Sequence, residues 1–353
     1  MRVLSASEAI SPAIDRTKAV LFQPFQKGRS WKLAATAYLA VMGNFFLPTH
    51  VAILGMPRQP GATGPSLLIF SLVFGLVVTL VMLAIFCIGA RLQFVRFDIV
   101  VNKAQMIAPL WEKYGFCTWR WIGFKLTLNA IFLIVCGVPL VRGFRFLMTH
   151  LPVPGQPPPP EFMRGFFMAY AGMMLAFFTL MLVVSLFNDF VLPPIALEHV
   201  TVSEGLRRFV ELIRREPGNV ISYIFFKVIL GVAAAVAMEI AILIVEFIAM
   251  IPLGIIGFGG YFLLHSLGPI GQVLLVAGGV VLLLIFLVFL FYSTILFSGC
   301  FVVFFQAYAM YFLGGRYPML GDLLEPIPSG FTFASPVPPG PPPDLPPAPT
   351  PAL

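Results

Sequence analysis

Charge is what this sequence has least of. Only 10% of its 353 residues are Asp, Glu, Lys or Arg, against 59% hydrophobic, whereas soluble domains carry about 25% charged residues. So few polar side chains cannot cover a water-facing surface, which excludes a soluble enzyme, and the apolar content excludes disorder outside proline-rich segments. Cysteine is scarce too. Cys87, Cys117, Cys136 and Cys300 stand far apart, a spacing that fits neither a zinc site nor a redox pair, and they read as small buried hydrophobes. H-E-x-x-H and G-x-S-x-G patterns are missing, and no nucleophile can be placed beside a base. No metal, cofactor or catalytic residue is expected, and the chain reads as non-enzymatic. The start lacks a basic segment followed by a short apolar run, so no cleavable signal peptide is expected and the first span must act as membrane signal.

What is abundant is long apolar sequence, with a mean hydropathy of +0.96. The expected fold class is all-α, a polytopic transmembrane helix bundle, because hydrocarbon forces backbone polar groups to be satisfied within each helix. A hydrocarbon core of about 30 Å takes about 20 helical residues. Six spans fit, at 31–55, 66–90, 122–141, 166–193, 221–252 and 269–297, with Asn44, Pro48 and His50 interrupting the first. They divide the chain into an N-terminal arm (1–30), a membrane domain (31–315) and a Pro-rich tail (316–353). Of the 22 basic residues all but Arg58, Arg142, Arg145 and Arg164 fall on the arm, the second and fourth connections or the tail. Retention of Lys and Arg in cytoplasmic segments then puts both termini on the cytoplasmic side of the membrane.

The uncharged stretch from Pro269 to Gly315 would measure about 70 Å as one helix. The expectation is a break at Ser298-Gly299, followed by a surface helix over 300–313 with Gln306, Tyr308 and Tyr311 at the headgroups; seven spans is the alternative. The fourth connection holds an amphipathic helix. Thr201 and Glu204 stand at capping-box spacing, Leu206, Phe209, Val210 and Ile213 share a face, and Glu204–Arg208 and Glu211–Arg215 are i,i+4 pairs. In the second connection Pro109 starts a short helix through Trp111 and Tyr114, and Trp111, Trp119 and Trp121 suit a headgroup belt. The basic connections attract anionic lipid headgroups, not nucleic acid. Pro157 to Pro160 favour a stiff extended loop. The proline-dense 336–351 reads as an extended tail whose P-x-x-P spacings could engage a protein partner.

Ionisable groups inside spans need explanation. Lys125, Asp189 and Lys227 fall at similar depth, so Asp189 is expected to pair with Lys125 or Lys227, helped by Asn129 and Asn188. Glu239 and Glu246 lie seven residues apart on nearly one helical face, in the outer half of the fifth span with Arg142, Arg145, His50, His150 and His265. They read as helix-packing residues, with a cation-binding vestibule as the alternative. Gly231 with Ala235 and Gly278-Gly279 are packing devices, and Gly254, Gly257, Gly259 and Gly260 form no nucleotide loop.

Ile195-Ala196-Leu197-Glu198, then Glu204-Gly205-Leu206-Arg207-Arg208, resemble the motif of a broad bacterial group of uncharacterised six-helix membrane proteins. That group is similar to the membrane-anchor domain of glycerophosphodiester phosphodiesterases. Asp189-Phe190 before Pro193, and Pro109 with Trp111 and Tyr114, resemble a subgroup known only as a domain of unknown function. The resemblance covers residues 10–325, with Phe209 where the group commonly has Ser, and implies fold rather than hydrolysis. It assigns Glu198, Glu204, Arg207 and Arg208 to the interfacial helix. The leading expectation is a structural, scaffold or membrane-organising component. A small-solute or lipid transporter using Glu239 and Glu246 is the alternative, and an intramembrane hydrolase comes third.

Overall fold

The computed structural model describes residues 2–23, 27–46, 65–104, 106–149 and 160–325. Part of the first predicted span (with Pro48 and His50), Arg58, His150, most of the proline loop and the part of the Pro-rich tail beyond residue 325 lie outside the described residues. Among those described, the chain forms helices and no strand. They are α1 (Ile10–Phe22), α2 (Lys27–Met42), α3 (Pro65–Asn102), α4 (Ala108–Lys113), α5 (Gly115–Thr149), α6 (Pro160–Phe190), α7 (Leu192–Glu198), α8 (Val202–Arg215), α9 (Pro217–His265), α10 (Gly268–Gly314) and α11 (Pro318–Leu324).

Five stretches are long and apolar enough to cross a membrane, on α3, α5, α6 (running on into α7), α9 and α10. The helix of the first predicted span differs. It ends at Met42 after 16 residues, about 24 Å, too short to cross.

Burial divides these long helices lengthwise. Ile69 to Ile88 on α3, Ile131 to Val135 on α5, Met163 to Phe178 on α6 and the distal stretches of α9 and α10 carry large exposed apolar side chains. Lipid solvates such faces as well as protein does, so they need no protein cover. At the other end the same helices enter a compact head whose core runs from Phe86 to Val101 on α3 and from Val303 to Leu313 on α10, and includes Tyr114, Trp121, Phe190 and Tyr223. Stacked rings knit it together: Phe190 on Phe209 at 5.0 Å, Tyr223 on Tyr308 at 5.2 Å, and Tyr223 near Phe312 at 4.6 Å.

The N-terminal arm is part of this head. Ala9, Ala13, Thr17, Val20 and Leu21 of the α1 region are buried. Arg16 donates to Val100 O at 2.8 Å and to Val101 O, satisfying carbonyls that the end of α3 leaves open. Arg316 donates to Leu4 O at 3.0 Å and Phe312 O at 2.7 Å, so the first and last described segments share one end of the bundle.

Three expectations are corrected. No break occurs at Ser298-Gly299, because α10 runs unbroken to Gly314. Glycine there serves a crossing instead, since a Cβ on Gly299 would strike the Ala34 backbone of α2. The surface helix is therefore absent, and Gln306, Tyr308 and Tyr311 are buried, 3%, 0% and 7% exposed. Trp121 does not reach the headgroups either, being wholly buried, whereas Trp119 is 71% exposed. The fifth span also outruns its predicted end. Helix α9 continues through Pro252 to His265, so the Gly254–Gly260 cluster is helical, and α9 with α10 makes an apolar hairpin about 70 Å long.

At the base of that hairpin Arg316 donates to Glu216 at 2.8 Å. This bond, with Asn219, holds the Glu216 carboxyl below its ordinary value. A depressed carboxyl adds stability above the unfolded value of about 4.3, and that stability is lost as pH falls through the folded value. Thermal unfolding of the detergent-solubilised chain between pH 7 and pH 3 should show a drop below about pH 4 that Glu216→Gln reduces; equal drops in both proteins would refute the clamp.

Candidate functional site: a buried polar belt

Hydrophobic burial alone does not tell the head which helix faces should meet. Polar side chains do, because a buried donor or acceptor left alone costs about 1–3 kcal/mol. The belt starts where α2 ends. Gly43 and Gly89 lie so close that a Cβ on either would strike the other strand of backbone, and this approach brings Asn44 against α3. Gln93, fully buried, donates to Ala40 O and Asn44 Oδ1, both at 2.9 Å. Its Oε1 accepts from Trp121 Nε1 at 2.9 Å and from Lys125 Nζ at 2.5 Å. Lys125 also donates to Gly43 O at 3.0 Å and Asn44 Oδ1 at 3.3 Å. Asn188 of α6 donates to the same Asn44 oxygen at 2.8 Å. Asn129 donates to Lys125 O at 2.8 Å and accepts from Phe46 N at 3.4 Å.

One residue along α6, Asp189 carries the belt to α9. It forms an ion pair with Lys227 and accepts from Tyr223 OH at 2.8 Å. Of the two partners that the sequence left open, the structure chooses Lys227. Lys125 is ringed by neutral oxygens instead. Arg96, also buried, is within electrostatic reach of both Asp189 and Lys125, so the carboxylate offsets more than one cation. Arg96 Nε and Asn188 Oδ1 have no protein hydrogen-bond partner, a place for a bridging water.

A second clamp closes the connection between α3 and α5. Asp98, 2% exposed, accepts from Lys113 Nζ at 2.8 Å, from Tyr114 OH at 2.7 Å and from Asn102. Burial together with Asp98 pushes the Tyr114 phenol up, so it stays a donor at neutral pH. Arg91 lies 4.3 Å over the Trp111 ring and donates to Trp111 O at 2.9 Å.

The remaining predicted residues sit apart from the belt. Glu239 is exposed among apolar side chains of α9, and Glu246 is half-buried. Arg142 is exposed, and His265 stacks on Tyr261 at 5.0 Å. Among the described residues no three His, Cys, Asp or Glu side chains are grouped to hold a metal.

In the interfacial helix Thr201 caps α8, accepting from Glu204 N at 3.4 Å. Arg208 grips Glu198 through two bonds, at 2.9 and 2.8 Å, and Glu204 at 3.3 Å. The hydrogen bonds it donates to Glu198 raise its guanidinium further. Arg207 pairs with Glu204 at 3.0 Å. The packed face is Gly205 and Phe209, with Leu206 and Leu212 at its edges, while Val210 and Ile213 are 42% and 38% exposed. One half of the predicted apolar face thus docks on the head and the other faces outward.

Sequence reasoning missed Gln93, Asn44, Arg96 and Asp98 as belt and clamp members. In the sequence Arg96 reads only as a topology mark. The available signal was three polar residues, Gln93, Arg96 and Asp98, among the otherwise apolar residues 92–101 that continue the second span. It missed a contact as well. Cys117 Sγ lies 3.3 Å from His199 Nδ1, across 82 positions, a thiol beside a base that no spacing rule had placed.

The model of a family described as Family of unknown function (DUF7544) matches residues 4–323. No curated protein and no solved structure matches. The likeness to the phosphodiesterase membrane anchor has no counterpart among these findings.

Proposed function

The chain belongs to that family of unknown function, and we propose that it is a non-enzymatic scaffold or membrane-organising component of a bacterial inner membrane, with its head on the cytoplasmic side. The observation that carries the reading is the destination of the buried polar groups. Gln93, Lys125, Asn188, Asp189 and Lys227, from four helices, bond to one another, to Asn44, Trp121 and Tyr223 and to the Ala40 and Gly43 carbonyls at the end of α2, which fixes helix positions and makes a rigid head. The basic residues around that head support a cytoplasmic position for it under the charge rule. Exposed Val210 and Ile213 on α8 leave an outward apolar edge for a protein partner.

A transporter built on Glu239 and Glu246 has less support, because Glu239 points away from the packed helices. Proteoliposomes holding the full chain should take up amino-acid, sugar and inorganic-ion tracers no faster than protein-free vesicles, and Glu239→Gln should leave yield and thermal stability unchanged. Tracer flux that Glu239→Gln abolishes would overturn the scaffold reading.

A further inference from the structure

Between the first turns of α5 and the link from α7 to α8 lies a pocket of about 150 Å³, with Lys113, Phe116, Cys117, Arg120, Ile195 and His199 on its wall. At about 30 Å³ per water this is room for roughly five waters, enough for a phosphate group and too little for a nucleotide. Its charge is one-sided, since three basic side chains line it and no acid does. Lys113 is shared with Asp98. Arg120 is exposed and, among the described residues, lies within 4 Å of no carboxylate; its guanidinium rests 4.8 Å over the Phe116 ring. His199 is held at φ 55°, beyond the end of α7, with Nδ1 against the Cys117 thiol. A thiol that donates to Nδ1 leaves the imidazole proton on Nε2, free to donate to a ligand.

The surroundings favour one source of anion. Phe116 and Trp119 are 73% and 71% exposed at the start of the α5 span, the amphipathic level at which aromatic rings meet headgroups. Ile195, Val200 and Val202 give the pocket an apolar wall. We propose that this pocket binds the phosphate of an anionic phospholipid, with Arg120 as principal contact, His199 as second donor and Phe116 and Trp119 flanking the acyl chains. The proposal takes from the scaffold reading only that the chain sits in a bilayer. A transporter with the same pocket would give the same lipid result, so failure of one leaves the other standing.

The test is native mass spectrometry of the full chain released from nanodiscs of equal phosphatidylglycerol and phosphatidylcholine. The parent protein should retain phosphatidylglycerol preferentially, and Arg120→Gln should lower that retention about fivefold, the loss expected for a cation in direct contact with a headgroup phosphate. His199→Gln should lower it less, and Arg120→Lys should keep most of it. Arg214→Gln, an exposed charge on α8 away from the pocket, should have no effect, and all variants should unfold at the parent temperature. Equal loss in Arg214→Gln would reduce the effect to general surface charge and overturn the site. So would parent-like retention in both Arg120→Gln and His199→Gln. Complete displacement of the lipid by millimolar inorganic phosphate would make the pocket a free-anion site and overturn the lipid assignment.

Discussion

Asp189→Ala should destabilise the detergent-solubilised protein by about 3–5 kcal/mol, the usual result of removing one partner of a buried ion pair. The physical reason is what stays behind. Lys227 has a side chain only 10% exposed and would lose its counter-ion, Tyr223 OH would lose its acceptor, and Arg96 would lose its nearby carboxylate. Lys227→Met should cost less, because Asp189 would still accept from Tyr223 and lie within reach of Arg96. The order Asp189→Ala worse than Lys227→Met, read from thermal unfolding and purified yield, separates this cluster from a simple pair, for which the two would be equal.

Gln93→Leu should cost several kcal/mol, although it exchanges a polar residue for an apolar one in a buried place. Leucine suits the volume and avoids the desolvation of an amide. It also leaves the Trp121 N–H without an acceptor, leaves the Ala40 carbonyl only its bond from Gly43 N and takes from Lys125 its closest acceptor. An orphaned buried donor costs about 1–3 kcal/mol and a lost bond to a charged group about 1.5–3 kcal/mol, a sum that exceeds the roughly 1.5–3 kcal/mol gained by burying a leucine. Trp121 emission should change together with the loss of thermal stability. A stable variant with unchanged emission would show that the belt is not what joins α3 to α5.

These outcomes rest on features that the sequence disclosed unevenly. Helical membrane character followed from the long apolar runs alone, since such runs admit few other solutions in hydrocarbon. The depth match of Asp189 with two lysines was likewise readable from residue counting along spans. Which lysine it meets was not, because the choice depends on how α5 and α9 pack around α6. Asn44 illustrates the same limit. Its oxygen gathers Gln93, Lys125 and Asn188 from positions 49 to 144 residues away, and in one dimension it looked only like a flaw in a span. Ser298-Gly299 misled for a related reason, as glycine that breaks helices in water also permits close helix crossings, and here it does the second against Ala34. Trp121 misled because an indole N–H suits either a headgroup or a buried acceptor, and Gln93 supplies the latter.

Buried polar partners, chosen helix by helix, hold the head together. Charge exchange tests this most directly. Asp189→Lys alone should abolish expression of folded protein by placing another cation beside Lys227 and Arg96. Combining it with Lys227→Asp should restore folded protein in the membrane fraction, because the pair is rebuilt with its ends reversed, whereas combining it with Lys125→Asp should not. Restoration by the Lys125 exchange alone, or by neither exchange, would contradict the arrangement described.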